Sequence, residues 1–208
     1  GDALKIVTND PSITAVLEKG KLTLQEPKRK TSFWGIQIGS VNSKVGELTL
    51  TLPEVLFEEL ELSAGVGEVQ IDVLAAKKAK LDLGVGDVII NRLSVTESGE
   101  IDCGVGDLMV KSGALHGLSM DIGIGETKIS AVLTGKTEID LGIGNAEFTV
   151  RGSSEDYTVT VEKGIGSAKI DGKSVQDGQT YGDGANRIVI DGGIGSIELE
   201  FIEDESKE

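Results

Sequence analysis

The chain has 208 residues, 38% of them hydrophobic but only seven aromatic (one Trp, two Tyr, four Phe), with 29 Gly, three Pro, one Cys and one His, and a net charge of −15. One Cys excludes a disulfide framework and a Cys-based zinc site, and the acidic balance repels phosphate backbones and anionic lipid heads, so no nucleic-acid partner is expected. No apolar run approaches the roughly 18 residues of a membrane span, so this segment is not expected to insert in a membrane.

Residues 1–40, with Phe33 and Trp34, read as an N-terminal cap that includes a first imperfect rung at Gly20-Lys21-Leu22-Thr23-Leu24. The chain opens Gly1-Asp2 without a Met, which leads us to expect a signal or anchor ahead of it; an arbitrary domain boundary is the alternative. A repeat domain then runs over 41–202. Val45-Gly46-Glu47-Leu48-Thr49-Leu50 matches Val66-Gly67-Glu68-Val69-Gln70-Ile71 at a spacing of 21. Seven Gly-Val/Ile-Gly copies follow, starting at Gly65, Gly84, Gly104, Gly123, Gly142, Gly164 and Gly193, with steps of 19, 20, 19, 19, 22 and 29 residues. A fixed period near twenty means that one structural unit repeats.

Both flanks of the motif alternate apolar and polar residues, as in Leu81-Asp82-Leu83 before it and Asp87-Val88-Ile89-Ile90 after it. That period of two is the pattern of a half-buried strand. Carried through the motif, it puts 81, 83 and 85 inward and slips by one residue at the second Gly. The second Gly of each copy is therefore the expected corner: Gly67, Gly86, Gly106, Gly125, Gly144, Gly166 and Gly195. The middle Val or Ile is expected in the core, so Ile124→Asp or Ile143→Asp is expected to unfold the stack. The return segments show no sustained helical stripe, and about twenty residues is too short for a propeller blade. The expected fold is all-β: a single parallel β-solenoid (β-helix) of 19–22-residue rungs, roughly eight of them, about 35–45 Å long at a rung spacing of about 4.8 Å. The general crossover rule makes it right-handed. An insertion over 172–187 reads as an extended loop before the last rung, and 203–208 as a charged tail.

Four arrangements are candidates for chemistry. Asp82, Asp102, Asp121 and Asp140 share one rung position and should stack in a line; Glu68, Asp87, Asp107 and Glu126 form a second line. Like charges about 4.8 Å apart in water repel by about 0.9 kcal/mol per pair. The side chains therefore splay into solvent or bind a cation such as calcium, and the residues favour the solvated face. The Gly-x-Gly-x-Asp pattern faintly resembles calcium-binding nonapeptide repeats, but its period is wrong. Cys103 shares an inward slot with Leu83, Ile122 and Leu141, which argues against a pair with His116, the lone His. The Gly motif lacks a third Gly, a Gly-Lys-Ser/Thr element and a following helix, so it is no phosphate loop. Many Asp could serve glycoside cleavage, yet aromatic platforms are few and stacked rungs leave no deep cleft.

The run Ile101-Asp102-Cys103-Gly104-Val105-Gly106-Asp107, repeated over roughly 40–202, resembles the bacterial putative adhesin family. The resemblance implies a β-solenoid behind a membrane anchor in envelope proteins, some of them near envelope stress-response systems. It brings no catalytic residues, and "adhesin" is an analogy from shape. The resulting expectation is a non-enzymatic, extracytoplasmic interaction module, anchored N-terminally, whose partner is a protein or polysaccharide of the envelope. The alternatives are a carbohydrate-active enzyme, a structural or sensor domain of an envelope stress system, and a cytoplasmic location. No cofactor is expected beyond the calcium question.

Overall fold

The computed structural model describes strands over 5–8, 14–18, 21–25 and 47–51 and the continuous stretch 56–203. In chain order these hold β1 (Lys5–Thr8), β2 (Thr14–Glu18), β3 (Lys21–Gln25), β4 (Glu47–Thr51), β5 (Phe57–Val66), β6 (Glu68–Val85), β7 (Val88–Val105), β8 (Leu108–Val110), β9 (Gly113–His116), β10 (Leu118–Thr134), β11 (Lys136–Arg151), β12 (Tyr157–Ile170), β13 (Lys173–Ser174), β14 (Gln179–Tyr181) and β15 (Asn186–Ile202). One 3-10 turn, Ser154–Asp156, precedes β12.

The repeat is a parallel stack. Leu81 faces Ile101 and Asp82 faces Asp102 across β6 and β7, and Met120 faces Ile139 across β10 and β11. Each residue thus meets its counterpart about one period further along the chain. An 18-residue strand such as β6 must therefore go once around the stack before it meets its successor, and the long strands bend at the Gly motifs. Inward positions line up as aliphatic columns. Leu62, Leu81, Ile101, Met120, Ile139, Ile190 and Val161 are consecutive register partners, all buried. Val69, Val88 and Leu108 begin a second such column beyond the corner. Burial of these columns is the main stabilising term, on the order of 1.5–3 kcal/mol for each large aliphatic side chain.

The order of the rungs departs from the order of the chain. The path runs β6-β7-β8-β10-β11-β15-β12. The last copy in sequence, at Gly193, is not the last in space: β15 lies between β11 and β12, pairing in parallel with both. The rung at Gly164 is the terminal one. The 172–187 insertion is also more than a loop, since β13 and β14 turn back antiparallel on β12, matching Lys169 with Ser174 and Thr160 with Thr180. At the other end β1 runs antiparallel to β4. An antiparallel strand at either end interrupts the parallel run and covers an edge that would otherwise invite pairing with another chain.

Lys21–Leu24 does not behave as a rung, and Gly20 lies outside the described residues. Lys21–Gln25 pairs antiparallel with Thr14–Glu18 in a two-stranded sheet of its own. Phe33, Trp34 and the tail beyond Glu203 lie outside the described residues.

Candidate functional site

The seven second glycines all take positive φ, from 137° at Gly86 to 154° at Gly166. At Gly106, with φ of 139°, a Cβ would also overlap the Gly86 carbonyl of the neighbouring rung. Both the backbone angle and the close approach demand glycine. The Gly106 N–H donates to the Ile124 carbonyl at 2.8 Å, which closes the ladder through the corner.

The residue between the glycines is where the sequence reading fails. Val66, Val85, Val105, Ile124, Ile143, Ile165 and Ile194 are not in the core; each is 45–73% exposed. The alternation holds up to Leu83, which is buried, and resumes in phase with Val88; Val85 points out. The slip therefore falls at Gly84, the first glycine, and not at Gly86. A Cβ on Gly84 would overlap the Gly65 carbonyl, so the first glycine too is required by rung-on-rung contact.

The outcome is an aliphatic ridge. Val66, Val85, Val105, Ile124, Ile143, Ile194 and Ile165 are consecutive register partners. Seven rungs at about 4.8 Å make it about 29 Å long. Glycines border it on both sides, so nothing screens its methyl groups. A continuous exposed apolar strip of this size is uncommon on a soluble surface unless something binds there.

Carboxylates flank the ridge. Asp82, Asp102, Asp121 and Asp140 stack in register as expected, and the column continues through Asp191 to Glu162. The last two were missed because the irregular spacing hides them, although Ile190-Asp191 and Val161-Glu162 sit at the same offset from their glycines. Their oxygens line up along the stack, and among the described residues no cluster of three acidic, His or Cys groups converges on one point. Lys80 is ion-paired with Glu100 and lies 3.9 Å from Asp102. Partial burial first, then Glu100, pushes the Asp102 carboxyl above its ordinary range; Asp121 and Asp82 push the same way, and Lys80 opposes them.

The second acidic column has a structural task. Asp87 Oδ1 accepts the backbone N–H of Asp107 at 3.2 Å, and Asp107 Oδ1 accepts that of Glu126 at 2.8 Å. Further along, Asn145 Oδ1 accepts the N–H and hydroxyl of Ser196. A short side chain with an oxygen thus braces the corner of the next rung. Glu126, one methylene longer, instead meets Lys128 at 3.1 Å. The column is acidic from Glu68 to Glu126 and becomes neutral at Asn145, Ser196 and Ser167.

Cys103 is buried, and burial with the nearby Asp107 pushes its thiol up, away from the reactive thiolate. It faces Leu83 and Ile122, whereas His116 faces Thr134 and hydrogen-bonds its hydroxyl at 3.0 Å. The two do not meet. Strands, not a helix, follow each Gly motif. At the C-terminal end an open hollow of about 660 Å³ lies beside β12.

A family model described as Toastrack DUF4097 matches residues 4–183. No curated protein matches the chain. A solved structure of a putative cell adhesion protein from Clostridium sporogenes ATCC 15579 aligns with a TM-score of 0.44 at 18% identity, covering 96% of this chain and 82% of that one.

Proposed function

We propose that this chain, which belongs to the Toastrack DUF4097 family, is a non-enzymatic interaction module whose binding surface is the Val66–Ile165 ridge. The observation that carries this is the ridge itself: seven β-branched side chains, register partners through seven rungs, all exposed. The partner is a protein surface with an apolar groove rimmed by Lys or Arg. Charge complementarity supports that choice, because six stacked carboxylates lie along one flank and acidic residues line the other from Glu68 to Glu126. A second copy of this chain would bring like charges together, at −15 each. The partner's basic groups should concentrate along Val85, Val105 and Ile124, where both flanks are acidic. The extracytoplasmic location, behind an N-terminal anchor, belongs to the same proposal and rests on the family resemblance.

The test is crosslinking on intact cells with the native chain and an Ile124→Asp/Ile143→Asp variant. An envelope protein captured by the native chain, weakly at high salt, and lost with a variant that melts like the parent, supports the reading. A variant that keeps every crosslink overturns the ridge as the surface. Release of sugar from cell-wall polysaccharides that depends on one Asp pair overturns the non-enzymatic reading.

A further inference from the structure

We infer that the cavity at the C-terminal end of the stack binds a small organic ammonium ion with an apolar body. The space, about 660 Å³, lies between β12, the β13–β14 arm and the end of β15. That volume is within the range of about 300–1,000 Å³ common for small-molecule sites. Its floor is apolar and aromatic: Tyr157, Val159 and Val175 are buried, and Ile170, Tyr181 and Phe201 are half-buried. The Tyr157 and Phe201 rings stand 5.1 Å apart at 43°. Three of the seven aromatic residues of the chain line this space, and no ridge residue does.

The polar groups decide the ligand class. Around the exposed rim lie Glu155, Asp171 and Asp183 against the single cation Lys173. The excess of negative charge favours a cation and disfavours phosphate or carboxylate. The Ser154 and Ser174 hydroxyls on the rim would serve a neutral saccharide as well. The excess of negative charge is therefore what favours the ammonium ion, and a sugar is the necessary control; the phenols offer neither ligand a free hydroxyl. Tyr157 is 3% exposed, so its phenol is closed to the space. The Tyr181 oxygen accepts the Gln176 N–H at 2.8 Å and donates to Gln179 at 3.3 Å. Asp171 already accepts the Phe201 N–H at 2.9 Å, whereas no partner holds the Glu155 or Asp183 carboxylate among the described residues. The half-buried Phe201 and Tyr181 rings and the free carboxylates of the rim are the elements that hold an alkylammonium group, through ring quadrupoles and direct charge.

The site rests on neither the ridge nor its partner, so it is tested separately. Calorimetric titration of the whole chain would use benzyltrimethylammonium, choline and, as neutral control, N-acetylglucosamine. Saturable binding of benzyltrimethylammonium, tighter than choline, with no heat from the sugar, is the expected result. Glu155→Gln/Asp183→Asn should weaken it about tenfold while the melting temperature stays put, since both groups are exposed. Phe201→Leu, which keeps an apolar floor, should weaken it several-fold. Absence of saturation by either ammonium probe, tighter binding of the sugar, or affinity unchanged in the double variant would each overturn the assignment.

Discussion

Gly195 packs directly on Gly144, its register partner in the neighbouring rung, so closely that a Cβ on Gly195 would overlap the Gly144 carbonyl. The same contact recurs between Gly106 and Gly86. Each of these glycines also has positive φ. Gly106→Ala and Gly195→Ala should therefore each cost at least about 3 kcal/mol, from the strained backbone angle and the displaced rung together. Ser98→Ala, at an exposed return position, should change stability by less than about 0.5 kcal/mol. Urea unfolding of the three variants decides. Equal tolerance would show that the corners do not need glycine.

Exposure reverses the expected behaviour of the motif's central residue. Ile124 and Ile143 are each 50% exposed, and Ile122, two residues before Ile124, is 4% exposed. Ile124→Asp should leave the melting temperature within a few degrees of the parent. Ile122→Ala should cost about 2–5 kcal/mol, the usual range for cutting a buried aliphatic side chain. A collapse of Ile124→Asp comparable to that of Ile122→Ala would return the ridge to the core.

How legible the fold was follows from the same residues. The spacing of Asp82, Asp102, Asp121 and Asp140 dictates a stack with those residues in one column, because parallel pairing at the repeat period allows no other register. Counting by two through Gly84 then hid the ridge, because a bend resets which side is inside and alternation carries no signal of the bend. The swap of the last two rungs was invisible for a different reason. The copies at Gly164 and Gly193 present the same motif, and a long spacing reveals an insertion without saying on which side of it the next rung docks. The bracing by Asp107 depends on the Glu126 N–H turning toward the neighbouring rung at the corner, which only the folded corner reveals.

That bracing makes Asp107 a stability residue. Asp107→Ala removes the oxygen that accepts the Glu126 N–H and should cost about 1–3 kcal/mol. Asp107→Asn keeps the acceptor and should lose much less. Hydrogen exchange at the Glu126 amide should quicken in the Ala variant alone. Unchanged exchange would mean that the carboxylate is merely solvated.

Stability should depend on pH through Asp102. Partial burial, then Glu100, with Asp121 and Asp82 adding, raises its folded-state pKa, and Lys80 opposes the rise. The folded state therefore holds this proton more tightly than the unfolded chain, whose value is about 3.9. Stability from this group grows as pH falls through the raised value and is complete below the unfolded one; at neutral pH the ionised carboxylate opposes folding. Asp102→Asn should raise the urea midpoint at neutral pH, and its advantage should shrink on acidification. A difference between variant and parent that stays constant with pH would exclude this linkage.

The placement of β15 between β11 and β12 makes this end of the stack depend on a strand that follows the terminal rung in the chain. β12 pairs with β15, β13 and β14, and β11 faces β15 across fifteen registered pairs from Lys136–Arg187 to Arg151–Ile202. Ending the chain after Ala185 should leave β12 and its β13–β14 arm without a docking edge. In a stack each rung is stabilised mainly by its neighbours, so β6 to β11 should keep slow amide exchange while 157–185 becomes open to proteolysis. The β11 edge, now bare, should make the truncated chain prone to self-association. If β12 remained protected, it would have closed directly onto β11. The spatial order would then follow the chain order, and the inserted strand would not be what holds the terminal rung in place.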